Sequence, residues 1–316
     1  MTSSPRHRIG NSELDVFPLA LGGNVFGWTA DEEASRRILD EYVAGGGNFI
    51  DTADSYSFWA PGNEGGVSET IIGDWFANGA NREHVVLATK VSQHPQFKGI
   101  APETITAGLE ASLRRLRTEH IDLYYAHFDE PNRPLHDTVA AFSSLVDSGK
   151  VRYIGISNFA PQRIEEWLTI ADREGFHRPV ALQPQYSLVE RGIEETLFPI
   201  AKNANLGLVT YYALARGFLT GKYRPGAASP SSSPRAEAAS AYLDDRGIRT
   251  LAALDAVSEA HGVEQATIAL AWIAAQPGIV APIASARTVS QLAPLLAHAS
   301  ITLSPDEVRL LDNASR

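Results

Sequence analysis

Eight short β-rich runs recur along this 316-residue chain, each followed by a helical pattern. They are PLALGG (18–23), NFID (48–51), VVLATKV (85–91), IDLYYAHF (121–128), VRYIGISN (151–158), VALQPQYS (180–187), GLVTYYAL (207–214) and VAPIASA (280–286). The spacing of roughly 30–35 residues is the length of one βαβ step, so the strands are expected to run parallel. Helices are predicted near 31–45, 67–79, 102–117, 134–148, 161–174, 194–203 and 247–275. Pro102 fits a first helical turn, and glycines 45–47 close the first helix. Two further helices, near 288–297 and 304–315, extend past the eighth run. An eight-stranded (β/α)8 barrel, a TIM barrel with extra C-terminal helices, accounts for the whole pattern as a single domain over 1–316. A doubly wound open sheet carries a glycine fingerprint after its first strand. Here that place reads GGNVFG (22–27), which does not match.

Composition narrows the partners. Lys and Arg number 27 against 37 Asp and Glu, a formal charge of −10. That balance disfavours nucleic acid and anionic membrane surfaces. The chain has no cysteine, hence no disulfide framework and no thiolate nucleophile or metal ligand. The N-terminal stretch lacks the apolar core of a signal peptide, and no apolar run reaches membrane-spanning length. A cytoplasmic protein acting on a small molecule is the expectation, with no metal. The oligomeric state stays open, a monomer being slightly favoured. One stretch, GKYRPGAASPSSSPRAEAAS (221–240), breaks the alternation after the seventh run. Its Pro, Ser, Ala and Gly content offers little apolar surface to offset ordering. It is either a surface insertion or a loop that orders over a ligand.

The chemistry gathers where the runs end. Barrel enzymes place their sites at the C-terminal ends of the strands. The second run ends in Asp51, the third carries Lys90, the fourth His127, the fifth Ser157 and Asn158, the sixth Gln183 and the seventh Tyr211; Arg287 follows the eighth. Each has a bland alternative: Asp51 can cap a turn, Lys90 can reach solvent along its stem, and a lone histidine is more often structural. Together they describe one mouth. A lysine and a carboxylate held close in a partly dehydrated mouth are costly unless they serve a purpose. Asp51 would hold Lys90 charged beside the Tyr56 hydroxyl. A cation at that range is expected to lower a phenol pKa from about 10 by roughly one to three. Tyr56 would then donate a proton near neutral pH, and neutral His127 would hold a carbonyl oxygen.

At these residues the chain resembles the aldo-keto reductases, over almost its whole length. The resemblance is carried by GNFIDTADSY (47–56), VVLATKV (85–91), IDLYYAHF (121–128), GKVRYIGISNF (149–159), LQPQYSLVER (182–191) and ALARGFLTGKY (213–223). It implies a (β/α)8 barrel that binds NADPH or NADP+ across its mouth, with NADH weaker, and reduces aldehydes or ketones reversibly. The family's catalytic tetrad falls on Asp51, Tyr56, Lys90 and His127. Its nicotinamide carboxamide ligands fall on Ser157, Asn158 and Gln183, and its stacking aromatic on Tyr211. The pyrophosphate clamp falls on Leu214–Leu219, with Leu214, Arg216, Gly217 and Leu219 as its named positions. Arg287, expected to begin a helix, falls where the 2′-phosphate is read, with Ser285, Thr288 and Gln291 nearby. Two departures weaken the adenine end: Ser285 replaces a frequent glycine, and Ala293-Pro294-Leu295 replaces a frequent Glu-Asn.

Loops after the first, second and fourth runs bring Trp28, Phe58, Trp59 and Phe128 to the expected substrate pocket, which suits an apolar ring or polycyclic ketone. Asp129 and Glu130 would admit a polyhydroxylated or cationic substrate. Two other functions remain open. A non-redox barrel could use Asp51 and His127 for proton transfer, although it leaves Ser157, Asn158, Gln183 and Tyr211 without a task. A nicotinamide-sensing accessory subunit, as in the potassium-channel β subunits of this fold, would keep the cofactor site but need a partner surface.

Overall fold

The computed structural model describes residues 6–226 and 234–316. Among them, eight parallel strands close a barrel in sequence order: β1 (Ala20–Gly22), β2 (Phe49–Asp51), β3 (Val86–Val91), β4 (Ile121–Ala126), β5 (Val151–Ser157), β6 (Pro179–Gln183), β7 (Gly207–Thr210) and β8 (Ile279–Ala284), with β8 pairing back onto β1. Each strand packs against helices outside and side chains inside, which is why the runs read as nearly continuous apolar sequence. The interior is filled: Phe49, Ala88, Leu123, Tyr125, Ala181, Val209 and Ala281 form one buried cluster. Gly155 on β5 makes room for this filling, since a Cβ there would stand 2.3 Å from the Tyr125 ring.

The surrounding helices are α1 (Glu32–Ala44), α2 (Val67–Ala77), α3 (Pro102–Leu116), α4 (Leu135–Asp147), α5 (Pro161–Glu174), α6 (Leu197–Ala204), α7 (Ala236–Ser240), α8 (Asp245–His261), α9 (Gln265–Ala274), α10 (Val289–Ala297) and α11 (Pro305–Ser315). Asp31 caps α1 through a hydrogen bond to the Ala34 amide, and Ser304 and Glu307 form a capping box on α11. The helices expected over 247–275 are α8 and α9. The break falls at Gly262, which takes a left-handed φ of 65° after α8.

Two hairpins lie outside the expected pattern. His7–Arg8 pairs with Asp15–Val16, and Ile9, Leu14 and Val16 join the interior cluster, closing the end of the barrel opposite the candidate site. Gly10 turns this hairpin with φ 49°, where a Cβ would meet the Val180 carbonyl oxygen at 2.4 Å. Gln93–His94 pairs with Phe97–Lys98 after β3. The stretch 221–240 is not uniformly irregular. Residues 227–233 lie outside the described residues, and the expectation of a loop ordering over a ligand falls in part on them. Its end forms α7, whose Ala239 is fully buried. No helix among the described residues is long and apolar enough to cross a membrane.

Candidate active site

Asp51 is the last residue of β2, and Lys90 is the fifth of six in β3. Parallel pairing sets Asp51 beside Ala88, so the two side chains meet at the same mouth. The Lys90 Nζ donates to Asp51 Oδ2 at 2.7 Å, to the Thr52 carbonyl at 2.7 Å and to the Tyr56 hydroxyl at 2.9 Å. Three acceptors satisfy the three N–H groups of an ammonium. Lys90 is 0% exposed and Asp51 1%. The turn after β2 brings Tyr56 back over β3, fixed by Asp54 N donating to the Lys90 carbonyl at 3.1 Å. Tyr56 Oη also reaches Asp51 Oδ2 at 3.4 Å.

The electrostatics correct one expectation. Burial pushes the Tyr56 phenol well above its ordinary value, and Asp51 adds to the rise. Lys90, the nearest cation, is itself paired with Asp51 at 2.7 Å, and burial of the hydroxyl is the larger effect. Burial pulls Lys90 down, opposed by Asp51. At the end of β4, burial and the Lys90 charge hold the His127 imidazole well below its ordinary value, so the ring is neutral. It stands edge-on to the Tyr56 ring, centroids 6.2 Å apart. Its Nδ1 is buried without a hydrogen-bond partner among the described residues.

The carboxamide candidates form a chain. Gln183 Nε2 donates to Asp51 Oδ1 at 2.8 Å, and the Ser157 hydroxyl donates to the Gln183 carbonyl at 2.8 Å. Asn158, held at φ 56°, donates from Nδ2 to the His127 carbonyl at 3.0 Å. The Tyr211 hydroxyl donates to Asn158 Oδ1 at 2.7 Å. Gln183 is thus a partner of Asp51 as well as a candidate ligand, a tie that strand spacing did not indicate.

Beside this chain opens a cavity of about 540 Å³. Leu214, Arg216 and Gly217 line it from the turn after β7, and Ser285, Arg287 and Gln291 from beyond β8. Leu219 is fully buried beneath that turn and does not line the cavity. Tyr212, Ala215, Arg216 and Gly217 have φ of 53°, 48°, 60° and 96°. Left-handed backbone at non-glycine residues costs about 1–3 kcal/mol each and gathers at functional turns. Arg287 does not begin a helix: Thr288 is the N-cap of α10, and Arg287 precedes it. Its backbone N–H donates to Gln291 Oε1 at 2.9 Å. The Ser285 hydroxyl donates to Asn24 Oδ1 at 2.8 Å.

Four cations, Arg216, Lys222, Arg235 and Arg287, line this cavity against one carboxylate, Glu264. Such an excess suits a polyanion. Lys222 and Arg235 were not singled out in the sequence, because they lie in the segment after β7 that lacks a periodic signal. Arg216 stacks over Tyr212 at 4.2 Å and Arg235 over Trp28 at 5.3 Å. From Trp28 a run of aromatic contacts reaches the phenol: Trp28–Trp59 at 5.6 Å, then Trp59–Tyr56 at 6.2 Å. Phe58, Trp59 and Phe128 are 44%, 42% and 40% exposed, so three apolar rings face solvent at the mouth.

Asp129 and Glu130 do not face that space as free carboxylates. Arg163 grips Asp129 with two bonds, at 2.9 and 3.0 Å. Glu130 Oε2 accepts from Arg133 Nε and from the Ile100 amide, both at 2.8 Å. These pairings leave neither carboxylate free to receive the polyhydroxylated or cationic substrate expected of them. No cluster of His, Asp and Glu among the described residues could hold a metal ion.

A sequence model described as "Aldo/keto reductase family" matches residues 18–316. The "Uncharacterized oxidoreductase YrpG" of Bacillus subtilis is 36% identical, covering 96% of this chain and 94% of that protein. A "Probable voltage-gated potassium channel subunit beta" of Arabidopsis thaliana is 34% identical, covering 90% and 88%. The "Norsolorinic acid reductase B" of Aspergillus parasiticus is 29% identical, covering 96% and 82%.

Proposed function

The chain belongs to the aldo/keto reductase family, and on that premise we propose that it is an oxidoreductase that uses NADPH to reduce an aromatic or polycyclic aldehyde or ketone, with Tyr56 as the general acid. The observation that carries this reading is the buried Asp51–Lys90–Tyr56 chain, with Lys90 at 2.7 Å from the carboxylate and 2.9 Å from the phenol.

The residues present fit a dinucleotide phosphate. Arg216, Lys222, Arg235 and Arg287 would hold its phosphates, Arg287 reading the 2′-phosphate, while Ser157, Asn158, Gln183 and Tyr211 would hold the nicotinamide end. When bound, NADPH supplies the hydride. This chain's own groups do the rest. Neutral His127 and the Tyr56 hydroxyl orient the carbonyl oxygen. The raised phenol pKa keeps Tyr56 protonated, the form a reduction needs. As the proton leaves Tyr56 Oη, Lys90 at 2.9 Å stabilises the oxygen left behind, and Asp51 fixes Lys90 there. Trp28, Phe58, Trp59 and Phe128 exclude water and receive an apolar ring.

The name of the Arabidopsis relative points to a channel accessory role for that protein. The complete Asp51, Tyr56, Lys90 and His127 set favours turnover here. NADPH consumption against a panel of aromatic aldehydes and polycyclic ketones tests the reading. Steady oxidation that depends on the carbonyl is expected; tight NADPH binding with no turnover on any member would favour the sensing role instead.

A further inference from the structure

LQPQYSLVER (182–191) contributes Gln183 to the site, yet its far end has no part in the chemistry derived above. That end is rigid. Ser187 and Glu190 exchange both backbone hydrogen bonds, at 3.1 and 3.0 Å. Tyr186 N donates to the Tyr211 carbonyl at 3.2 Å, and Tyr211 N to the Pro184 carbonyl at 3.0 Å, which registers the turn against β7. On this fixed turn, Glu190 Oε1 accepts from the Tyr242 hydroxyl at 2.9 Å.

Tyr242 is the end of a short hydrogen-bonded piece of chain. Ala239 N donates to the Arg235 carbonyl at 2.9 Å, Tyr242 N to the Ala239 carbonyl at 3.2 Å and Leu243 N to the Ser240 carbonyl at 3.0 Å. The Tyr242 ring lies on Phe218, centroids 5.7 Å apart. Gly247 allows its backbone this position, since a Cβ there would come within 1.8 Å of the Tyr242 carbonyl oxygen. Burial and Glu190 push the Tyr242 phenol up, and nearby Arg216 opposes them. The piece 235–242 is therefore held at Tyr242 and delivers Arg235 to the cavity wall at its other end.

We propose that Glu190 is a positioning residue which, through its hydrogen bond to Tyr242, sets the Arg235 guanidinium in the phosphate-binding cavity. The inference rests on the reading of that cavity as the cofactor site. Glu190 touches no ligand itself; it fixes one end of a short lever whose other end carries the charge.

The test is NADPH affinity of the full chain, followed by quenching of tryptophan fluorescence. Tyr242→Phe keeps the ring on Phe218 and removes the latch. It should raise the NADPH Kd about tenfold, the low end of what a hydrogen bond to a charged group contributes. Glu190→Ala should match it, while Glu190→Gln, which keeps an acceptor oxygen, should stay within about threefold. The decisive variant is Arg235→Ala combined with Tyr242→Phe. With Arg235 gone the latch has nothing to position, so Tyr242→Phe should add nothing further. Multiplying losses would mean Tyr242 acts on the fold generally and would overturn the inference. A silent Tyr242→Phe alongside a weakened Arg235→Ala would sink the latch but leave the cavity reading standing. A silent Arg235→Ala would overturn both.

Discussion

Replacing Lys90 with Met tests the ion pair at the centre of the site. Lys90 is 0% exposed and Asp51 1%, so the substitution leaves a carboxylate buried beside an apolar chain. Removing one partner of a buried pair costs about 3–5 kcal/mol, because the remaining charge stays desolvated. Asp51 would keep the Gln183 amide at 2.8 Å and the Tyr56 hydroxyl at 3.4 Å, and these remaining donors point to the lower end, about 3 kcal/mol. The penalty belongs to the orphaned charge, so adding Asp51→Asn should recover part of it. Urea unfolding at neutral pH, followed by tryptophan fluorescence, compares wild type, Lys90→Met and the double variant. A loss under about 1 kcal/mol would place the pair in the range of surface ion pairs and refute the buried-pair argument. A double variant no more stable than Lys90→Met would refute it equally.

Arg287→Ala should weaken NADPH by about 1.5–3 kcal/mol, the worth of a charge-assisted contact, and leave NADH nearly unchanged; equal losses measured by titration would remove Arg287 from the 2′-phosphate. Asp54 is 0% exposed, and burial, with Glu69 adding, raises its pKa well above the ordinary 3.8. Its contribution to stability is complete below about pH 4 and is lost as pH rises through the raised folded value. Asp54→Asn should therefore gain stability relative to wild type with increasing pH, and parallel stability profiles would contradict this. The raised Tyr56 phenol should keep kcat for carbonyl reduction level from about pH 6 to about pH 9, below the ordinary phenol value of about 10; a downturn centred near neutrality would mean that Lys90 lowers the phenol after all.

The barrel was legible because each strand is covered on both faces. VVLATKV and IDLYYAHF must then be apolar almost throughout, and helices must intervene to cover them. The hairpins at 7–16 and 93–98 were not, since strands of two residues leave no periodicity to read. The catalytic candidates were legible for a geometric reason: parallel strands end on one face, so Asp51, Lys90 and His127 converge whatever lies between them. What needed coordinates was the pairing. Asp129 read as a free carboxylate because its partner, Arg163, lies 34 residues on, in α5. Arg235 was hidden among Pro, Ser and Ala and declares itself only where it packs, over Trp28. The phenol's direction was missed because a cation was counted without the burial of the hydroxyl, or the Asp51 carboxylate beside it, both of which raise its pKa.

The central claim is that Tyr56 gives up the proton. Tyr56→Phe keeps the ring between Trp59 and His127 and removes only the oxygen that Lys90 holds at 2.9 Å. NADPH oxidation by this variant, against the carbonyl that wild type turns over best, should fall by roughly 10²–10⁴-fold, the worth of a general acid, while NADPH binding stays within about twofold because the phosphate contacts are untouched. Near-normal turnover by Tyr56→Phe would contradict the account and leave Asp51 and Lys90 as a structural pair beneath an unrelated active centre.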